Sequence, residues 1–384
     1  MSRLKDNENF KLLLKILIIF AISRLIMLVM VPVYNGIMGT HRSFLFLMNE
    51  WDAKKYAYII NNGYTYPTDM DPQANWAFFP LYVIVCMFFK TITGGLINTY
   101  VIGMIVSNVC SIIAAFFAAK GLKKQTDIKD GYELLMPVLM FMAPYTFYGA
   151  SVYTEAMFIM FIVLFFYFLS EKKYVLAGVM AACSSATRIV GCILVFALVV
   201  QLYIDIEGDK ISLGCIKDFV VTMFKNPGKI FAVLICPFGA FSYMTFLNFF
   251  CGDAWAYKNV QIAWRDDEYF PVVGVLWKAC TGQIEPRYTY MGWFCVAILI
   301  LYGYMFFRKY YAMAVFGIIS LLVPLTSHVM STCRFTFGTD VVFVGMYDIL
   351  SRFNKVVRWV ITGILVIIEI YLLFLWYNSD CWLM

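Results

Sequence analysis

Long apolar runs constrain this chain more than any other feature it carries. They fall at roughly 12–33, 77–96, 97–119, 132–148, 153–170, 174–188, 189–204, 229–250, 288–307, 310–328, 335–350 and 356–377. A bilayer core is about 30 Å thick and a helix needs about 20 apolar residues to cross it, a length most of these runs reach or approach. Short polar connections separate them and leave no room for a soluble domain. Composition agrees: 62% of the 384 residues are hydrophobic and 14% are charged, whereas a soluble domain carries about 25% charged residues. The chain is therefore predicted to be all-α, one polytopic integral membrane domain over 1–384, with about 10–13 membrane segments. Its basic residues sit in short clusters between apolar runs rather than on one face, which excludes nucleic acid as the natural partner. No small-x-small cleavage site follows the first run, so it reads as a retained helix.

Charge placement orients the spans. Lys/Arg clusters occur in the N-terminal tail (Arg3, Lys5, Lys11, Lys15), at 120–129, at Lys172-Lys173, at 210–229, at Arg308-Lys309 and at 352–358. The positive-inside rule assigns them to the cytoplasmic face. The segments 34–76, 144–154, 251–287 and 328–334 then face the other side. Alternation fails at 77–119, which must cross an odd number of times yet is long enough for two spans. Lys90 and Gly94-Gly95 interrupt it, so one half is expected to be a short re-entrant or interfacial helix. The runs 174–188 and 189–204 are short and meet at Ser184-Ser185-Ala186-Thr187-Arg188; a hairpin stopping partway would put Arg188 in a cavity open to the outside.

Most of the eleven cysteines lie inside apolar runs, with no C-x-x-C pair, where Cys behaves as a small hydrophobe. Cys251 and Cys280 flank one polar loop, and a disulfide between them is left open. Two histidines, His41 and His328, are too few for a His-based metal site. The absence of any N-x-S/T sequon favours a bacterial plasma membrane over the endoplasmic reticulum.

Ionisable groups at the membrane are costly, so each is a functional candidate. Five patches qualify, and the assigned orientation brings all five to one side. The first is Asn49-Glu50-Trp51-Asp52, leading an amphipathic stretch in which Trp51, Tyr58, Ile59 and Lys55 are expected to share a face. As a cap, Asn49 would be the N-cap and Asp52 an N3 residue favoured by the helix dipole; as chemistry, Asp52 is the carboxylate best placed to act as a base for an acceptor hydroxyl. The second patch runs from Ala143-Pro144-Tyr145 to Tyr153-Thr154-Glu155, where Glu155 either fixes helix packing through a basic partner or serves the site. Arg188 is the third: its bidentate fork suits phosphate, the alternative being a buried pair with Glu155. The fourth is the loop 251–268, with Asp253, Trp255, Gln261, Trp264 and Asp266-Asp267-Glu268. Rings and acids of this kind bind sugars, although an aromatic belt explains the rings equally well. The fifth is His328 with Arg334, a second phosphate candidate or a snorkelling helix end.

Nucleotide signatures are missing: there is no P-loop and no dinucleotide fingerprint, and Asp69-Met70-Asp71 matches a metal-binding D-x-D in spacing only. A sugar activated by a lipid phosphate needs neither, only arginines for the phosphate and a base for the acceptor. Neither a cofactor nor a divalent cation is expected.

These residues resemble a known family. Trp51-Asp52 with Tyr56 and Asn62-Gly63-Tyr64, then Ala77-Phe78-Phe79-Pro80-Leu81-Tyr82, are similar to motifs of the PIG-V family of polytopic mannosyltransferases (GPI mannosyltransferase II and its bacterial relatives). The likeness continues, more weakly, at Ala143-Pro144-Tyr145, Tyr153-Thr154-Glu155, Thr187-Arg188-Ile189-Val190-Gly191, Gly252-Asp253 with Trp264, and Arg334-Phe335. Together these cover about three quarters of the chain, in order. Departures are Thr154-Glu155-Ala156 in place of serines, Val83 for a second proline, and Asp340 in an apolar stretch.

The resemblance implies a GT-C glycosyltransferase fold with short interfacial helices in an extracytoplasmic first loop. It implies inverting transfer of mannose, or a similar hexose, from a polyprenyl-phosphate donor to a lipid-linked or surface glycan. Asp52 would be the base, and Arg188, Arg334 and His328 would bind phosphate. Trp51, Tyr56, Phe79, Glu155, Asp253 and Trp264 would bind or orient the sugar or acceptor. The rival class is a multi-pass transporter or lipid flippase; inverted repeats, which transporters favour, are not visible here. A non-catalytic assembly subunit is a third reading.

Overall fold

The structure is a computed structural model that describes residues 2–66, 74–125, 131–208, 210, 212–263 and 271–383. The chain begins with α1 (Ser2–Met38), α2 (Phe44–Met48), α3 (Asp52–Asn62), α4 (Pro80–Ile92) and α5 (Thr99–Gln125). It continues with α6 (Tyr132–Met142), α7 (Glu155–Ser170), α8 (Tyr174–Thr187), α9 (Leu194–Glu207), α10 (Leu213–Lys225), α11 (Pro227–Ile235) and α12 (Phe238–Cys251). The last third contains α13 (Ala256–Asn259), α14 (Val272–Cys280), α15 (Arg287–Phe307), α16 (Tyr311–Leu325), α17 (Thr332–Phe337), α18 (Asp340–Leu350) and α19 (Lys355–Tyr377). The described residues contain helices and no strands.

Among the described residues, five segments are long and apolar enough to cross a bilayer: Asn7–Met38, Thr99–Leu122, Ile189–Glu207, Arg287–Phe307 and Lys355–Tyr377. A sixth is the pair α11–α12, bent by 48° at Cys236-Pro237. Proline removes a helix hydrogen bond and crowds the preceding turn, which accounts for the bend. Shorter apolar helices fill in between them: α4, α7, α8, α16 and most of α6. The protein is thus an all-helical, multi-pass membrane chain.

Within 77–119 the two halves differ as the interrupted run suggested. Pro80 opens α4 at its first turn, a position that suits its fixed φ. The helix ends before Gly94 and Gly95, both at positive φ. Its 13 residues reach about 20 Å at about 1.5 Å per residue, short of a bilayer core. The run 335–350 does not form one helix: it breaks between Phe337 and Asp340 into α17 and α18.

The core is densest where α7 packs against α5 and α8. Two glycines permit close approaches. A Cβ on Gly191 would lie 2.4 Å from the backbone of Ser184 and Ser185, and one on Gly239 would lie 2.2 Å from the Ala182 carbonyl. Ser185 Oγ, 3.0 Å from the Cys236 carbonyl, ties α8 to the bend in α11–α12. Cys251 and Cys280 are both free thiols, so the loop between them is not bridged.

Candidate active site

The turn that delivers Asp52 is held from a distance. Trp51 has φ +55°, a conformation that costs an L-residue about 1–3 kcal/mol unless its surroundings impose it. The surroundings here are residues 151–153. Tyr153 Oη accepts the Asp52 N–H at 3.1 Å and donates to the Glu50 carbonyl at 3.0 Å. The Asn49 side-chain carbonyl accepts the Val152 N–H at 3.1 Å, and Ser151 Oγ donates to the Met48 carbonyl at 2.5 Å. Asn49 therefore closes α2 and tethers the turn, and is not the N-cap of α3. Trp51 is the N-cap, without a side-chain bond, and Asp52 is the first helical residue rather than N3. The buried face of α3 is Ala53, Tyr56, Ala57, Ile59 and Ile60; Tyr58 and Lys55 lie outside it and are exposed, against the expectation that they share a face with Ile59.

Asp52 belongs to a four-member charge chain. Arg334 Nη1 donates to Asp52 Oδ2 at 2.7 Å, and Arg334 Nε donates to Glu155 Oε1 at 2.5 Å. Arg188 Nη1 donates to the same Glu155 oxygen at 2.7 Å. Glu155, the first residue of α7, is 2% exposed, Arg334 11%, Arg188 18% and Asp52 35%, so the chain runs from the interior to an accessible carboxylate. Each arginine arrives at a helix break. Arg188 is an extended residue between α8 and the 3-10 turn Ile189–Ile193. Arg334 is on the six-residue α17, whose N-cap Ser331 is left-handed.

Aromatic rings line the Arg334 guanidinium: it stands 4.6 Å from the Tyr153 ring and 5.2 Å from Tyr148. Trp376 packs edge-on against Tyr148 at 4.9 Å from behind. Burial pulls the Arg334 guanidinium down, but the charges of Glu155 and Asp52 outweigh it and hold it well above its ordinary value. Arg334 is a permanent cation. Burial also pushes the Tyr56 phenol well above its ordinary value, which keeps it a neutral donor, 3.4 Å from Thr154 Oγ1.

Asp52, Arg188 and Arg334 open into one cleft of about 440 Å³. Phe78, Phe79, Phe158 and Phe335 form its aromatic walls, and Ile189, Val190 and Val323 add aliphatic surface. Tyr56, Lys258, Gln261, Ser320, Ser327 and Thr339 supply polar groups. Phe79 is anchored by Tyr243 and Tyr257, at ring distances of 4.9 and 5.5 Å. A site of this kind, with apolar walls and two guanidinium groups beside a carboxylate, suits an amphiphilic anion.

The structure thus brings together Asp52, Tyr56, Phe79, Glu155, Arg188 and Arg334. Trp51 stands beside them, but its indole Nε1 is buried with no hydrogen-bond partner and it does not line the cleft. His328 is turned away: its Nδ1 accepts the Met330 N–H at 2.9 Å, and its ring packs on Tyr288 at 4.5 Å. Asp253 is used locally, accepting the Trp255 N–H at 2.8 Å and the Asn259 amide at 2.7 Å, and does not reach the cleft. Trp264, the acids at 266–268 and Asp69-Met70-Asp71 lie outside the described residues. Lys258 carries no distinguishing signal in the sequence, where it is one basic residue in an aromatic loop; it lies three residues before Gln261, and both line the cleft. Among the described residues no group of His, Cys, Asp and Glu is arranged to hold a metal ion.

No protein-family model matches the chain. No curated protein matches it either. Among solved structures it is similar to the oligosaccharyltransferase AglB of Archaeoglobus fulgidus in complex with an inhibitory peptide and a dolichol-phosphate, at 12% identity and a TM-score of 0.46 over 95% of this chain and 55% of that one. The apo form of the Archaeoglobus fulgidus oligosaccharyltransferase gives 11% identity and a TM-score of 0.48 over the same shares. The chain spans about half the length of these structures.

Proposed function

We propose that this chain is a GT-C-type membrane glycosyltransferase of the PIG-V kind. It would move mannose or a similar hexose from a polyprenyl-phosphate donor to a hydroxyl of a lipid-linked or surface glycan. The observation that carries the reading is Arg334, shared between Asp52 and Glu155 at the edge of an apolar-walled cleft, with Arg188 beside it. Arg188 and Arg334 receive the donor phosphate. Glu155 holds both guanidinium groups in place before the donor arrives, and such preorganisation spares reorganisation during reaction. The acceptor oxygen attacks the anomeric carbon and its proton passes to Asp52. The bond from that carbon to the phosphate oxygen breaks, and the electron pair leaves with the polyprenyl phosphate. Attack opposite the leaving group inverts the anomeric centre. Neither a cofactor nor a divalent cation is required, because the arginines carry the phosphate charge. The basic clusters favour an extracytoplasmic site, and the lack of an N-x-S/T sequon favours a bacterial plasma membrane.

The test is transfer by purified protein from polyprenyl-phosphate-mannose to candidate acceptors, with Asp52→Asn beside wild type. Loss of a general base is expected to cut turnover by about 10²–10⁴, with little loss of stability because Asp52 is partly exposed. Equal turnover by both proteins removes Asp52 from the mechanism. No transfer with any hexose donor favours a transporter or flippase.

A further inference from the structure

Helix α10 joins two membrane segments, the span that ends at Glu207 and the bent pair that begins at Pro227. None of its residues is fully buried, yet its sequence is strongly sided. Phe219 and Met223 turn towards the protein and are half-buried. The Phe219 ring meets Tyr203 of α9 edge-on at 5.4 Å. Leu213, Ile216, Val220 and Phe224 follow helical spacing along a second stripe and are exposed by 88, 45, 44 and 76%. At about 100° per residue the centre of this stripe is turned by roughly 85° from the Phe219–Met223 edge that packs on the protein, and the two adjoin at Ile216 and Met223. Lys217 and Lys225 flank it on the exposed side.

The stripe is not isolated. On the adjoining pair α11–α12, Phe231, Leu234 and Phe238 are exposed as well, as expected of a surface that faces acyl chains. Between residues 208 and 229 the sequence carries Lys210, Lys217, Lys225 and Lys229 against Asp209 and Asp218. An apolar stripe continuous with the lipid-facing surface and edged by excess lysine fits one partner, the headgroup zone of an anionic leaflet.

We propose that α10 is an interfacial anchor lying in the membrane plane. Leu213, Ile216, Val220 and Phe224 enter the acyl boundary, and Lys217 and Lys225 meet the phosphates of anionic phospholipids. This does not depend on the activity of the cleft. The test uses the full chain in nanodiscs, with a benzophenone side chain introduced at Phe224 or at Asp218. Lipid adducts are expected several-fold more often at 224. Amide exchange over 213–225 should be slower in phosphatidylcholine discs containing phosphatidylglycerol than in phosphatidylcholine alone. Lys217→Gln and Lys225→Gln should each remove roughly fivefold of that protection, the effect of one lysine at a charged surface. Equal adducts at both positions, or exchange in wild type indifferent to phosphatidylglycerol, overturns the proposal.

Discussion

Replacing Glu155 by Gln tests whether the charge chain is a single unit. The carboxylate is 2% exposed and accepts bonds from both Arg334 and Arg188 through one oxygen. A hydrogen bond to a charged group contributes about 1.5–3 kcal/mol and one to a neutral group about 0.5–1.5, so an amide loses about 1 kcal/mol at each contact. Removing one member of a buried ion pair outright costs about 3–5 kcal/mol. Arg334 keeps Asp52, and Arg188 borders the cleft; both soften the loss. The expected destabilisation is about 2–4 kcal/mol, between the two limits. Reversible unfolding by dodecyl sulfate in mixed micelles measures it, and Arg188→Gln completes a double-mutant cycle. Because Glu155 and Arg188 touch directly, a coupling of about 1–3 kcal/mol is expected. A single loss under about 0.5 kcal/mol, or effects that add within about 0.5 kcal/mol, refutes the idea that Glu155 holds the arginines.

Two further predictions concern the supports of the site. Gly191→Ala and Gly239→Ala each push a methyl group into backbone atoms and should cost about 1–3 kcal/mol; Gly228→Ala, whose nearest neighbour is 4.0 Å away, should be neutral in the same unfolding assay. Glu369 on α19 accepts the Phe147 N–H at 2.8 Å and the Thr146 hydroxyl at 3.0 Å, at the start of the turn that leads to Tyr148 and Tyr153. Glu369→Leu strands the buried Phe147 N–H at a cost of about 1–3 kcal/mol, while the Thr146 hydroxyl keeps the Ala143 carbonyl as an acceptor at 2.9 Å; Glu369→Gln keeps an acceptor for both and should cost less, and equal losses would count against the contact.

Much of the helical layout is legible from hydropathy. The interruption at Lys90 and Gly94-Gly95 marks α4 as short, and the Ser184–Arg188 junction marks the break that carries Arg188. The split between α17 and α18 is less visible, because an apolar run fixes burial without fixing where its helix ends. Asp253 shows a different failure. Its bonds run two and six residues onward, a local turn signal outweighed by the surrounding rings. His328 and Arg334 are close in sequence, but the turn between them sends the two side chains to different neighbours.

By itself the sequence determined the membrane class, because so little charged surface cannot cover a chain of this size in water. It also marked Asp52, Glu155, Arg188 and Arg334 as expensive groups near the ends of apolar runs. That they form one chain was decided by tertiary structure. Their contacts link positions 33, 179 and 282 residues apart, and no local rule relates residues so distant. Packing of α7 against α5 and α8, and the tether from 151–153 to 49–52, set those distances. The physical reason is that a buried charge must find its counter-charge wherever the fold brings one, and only the packed helices say where that is.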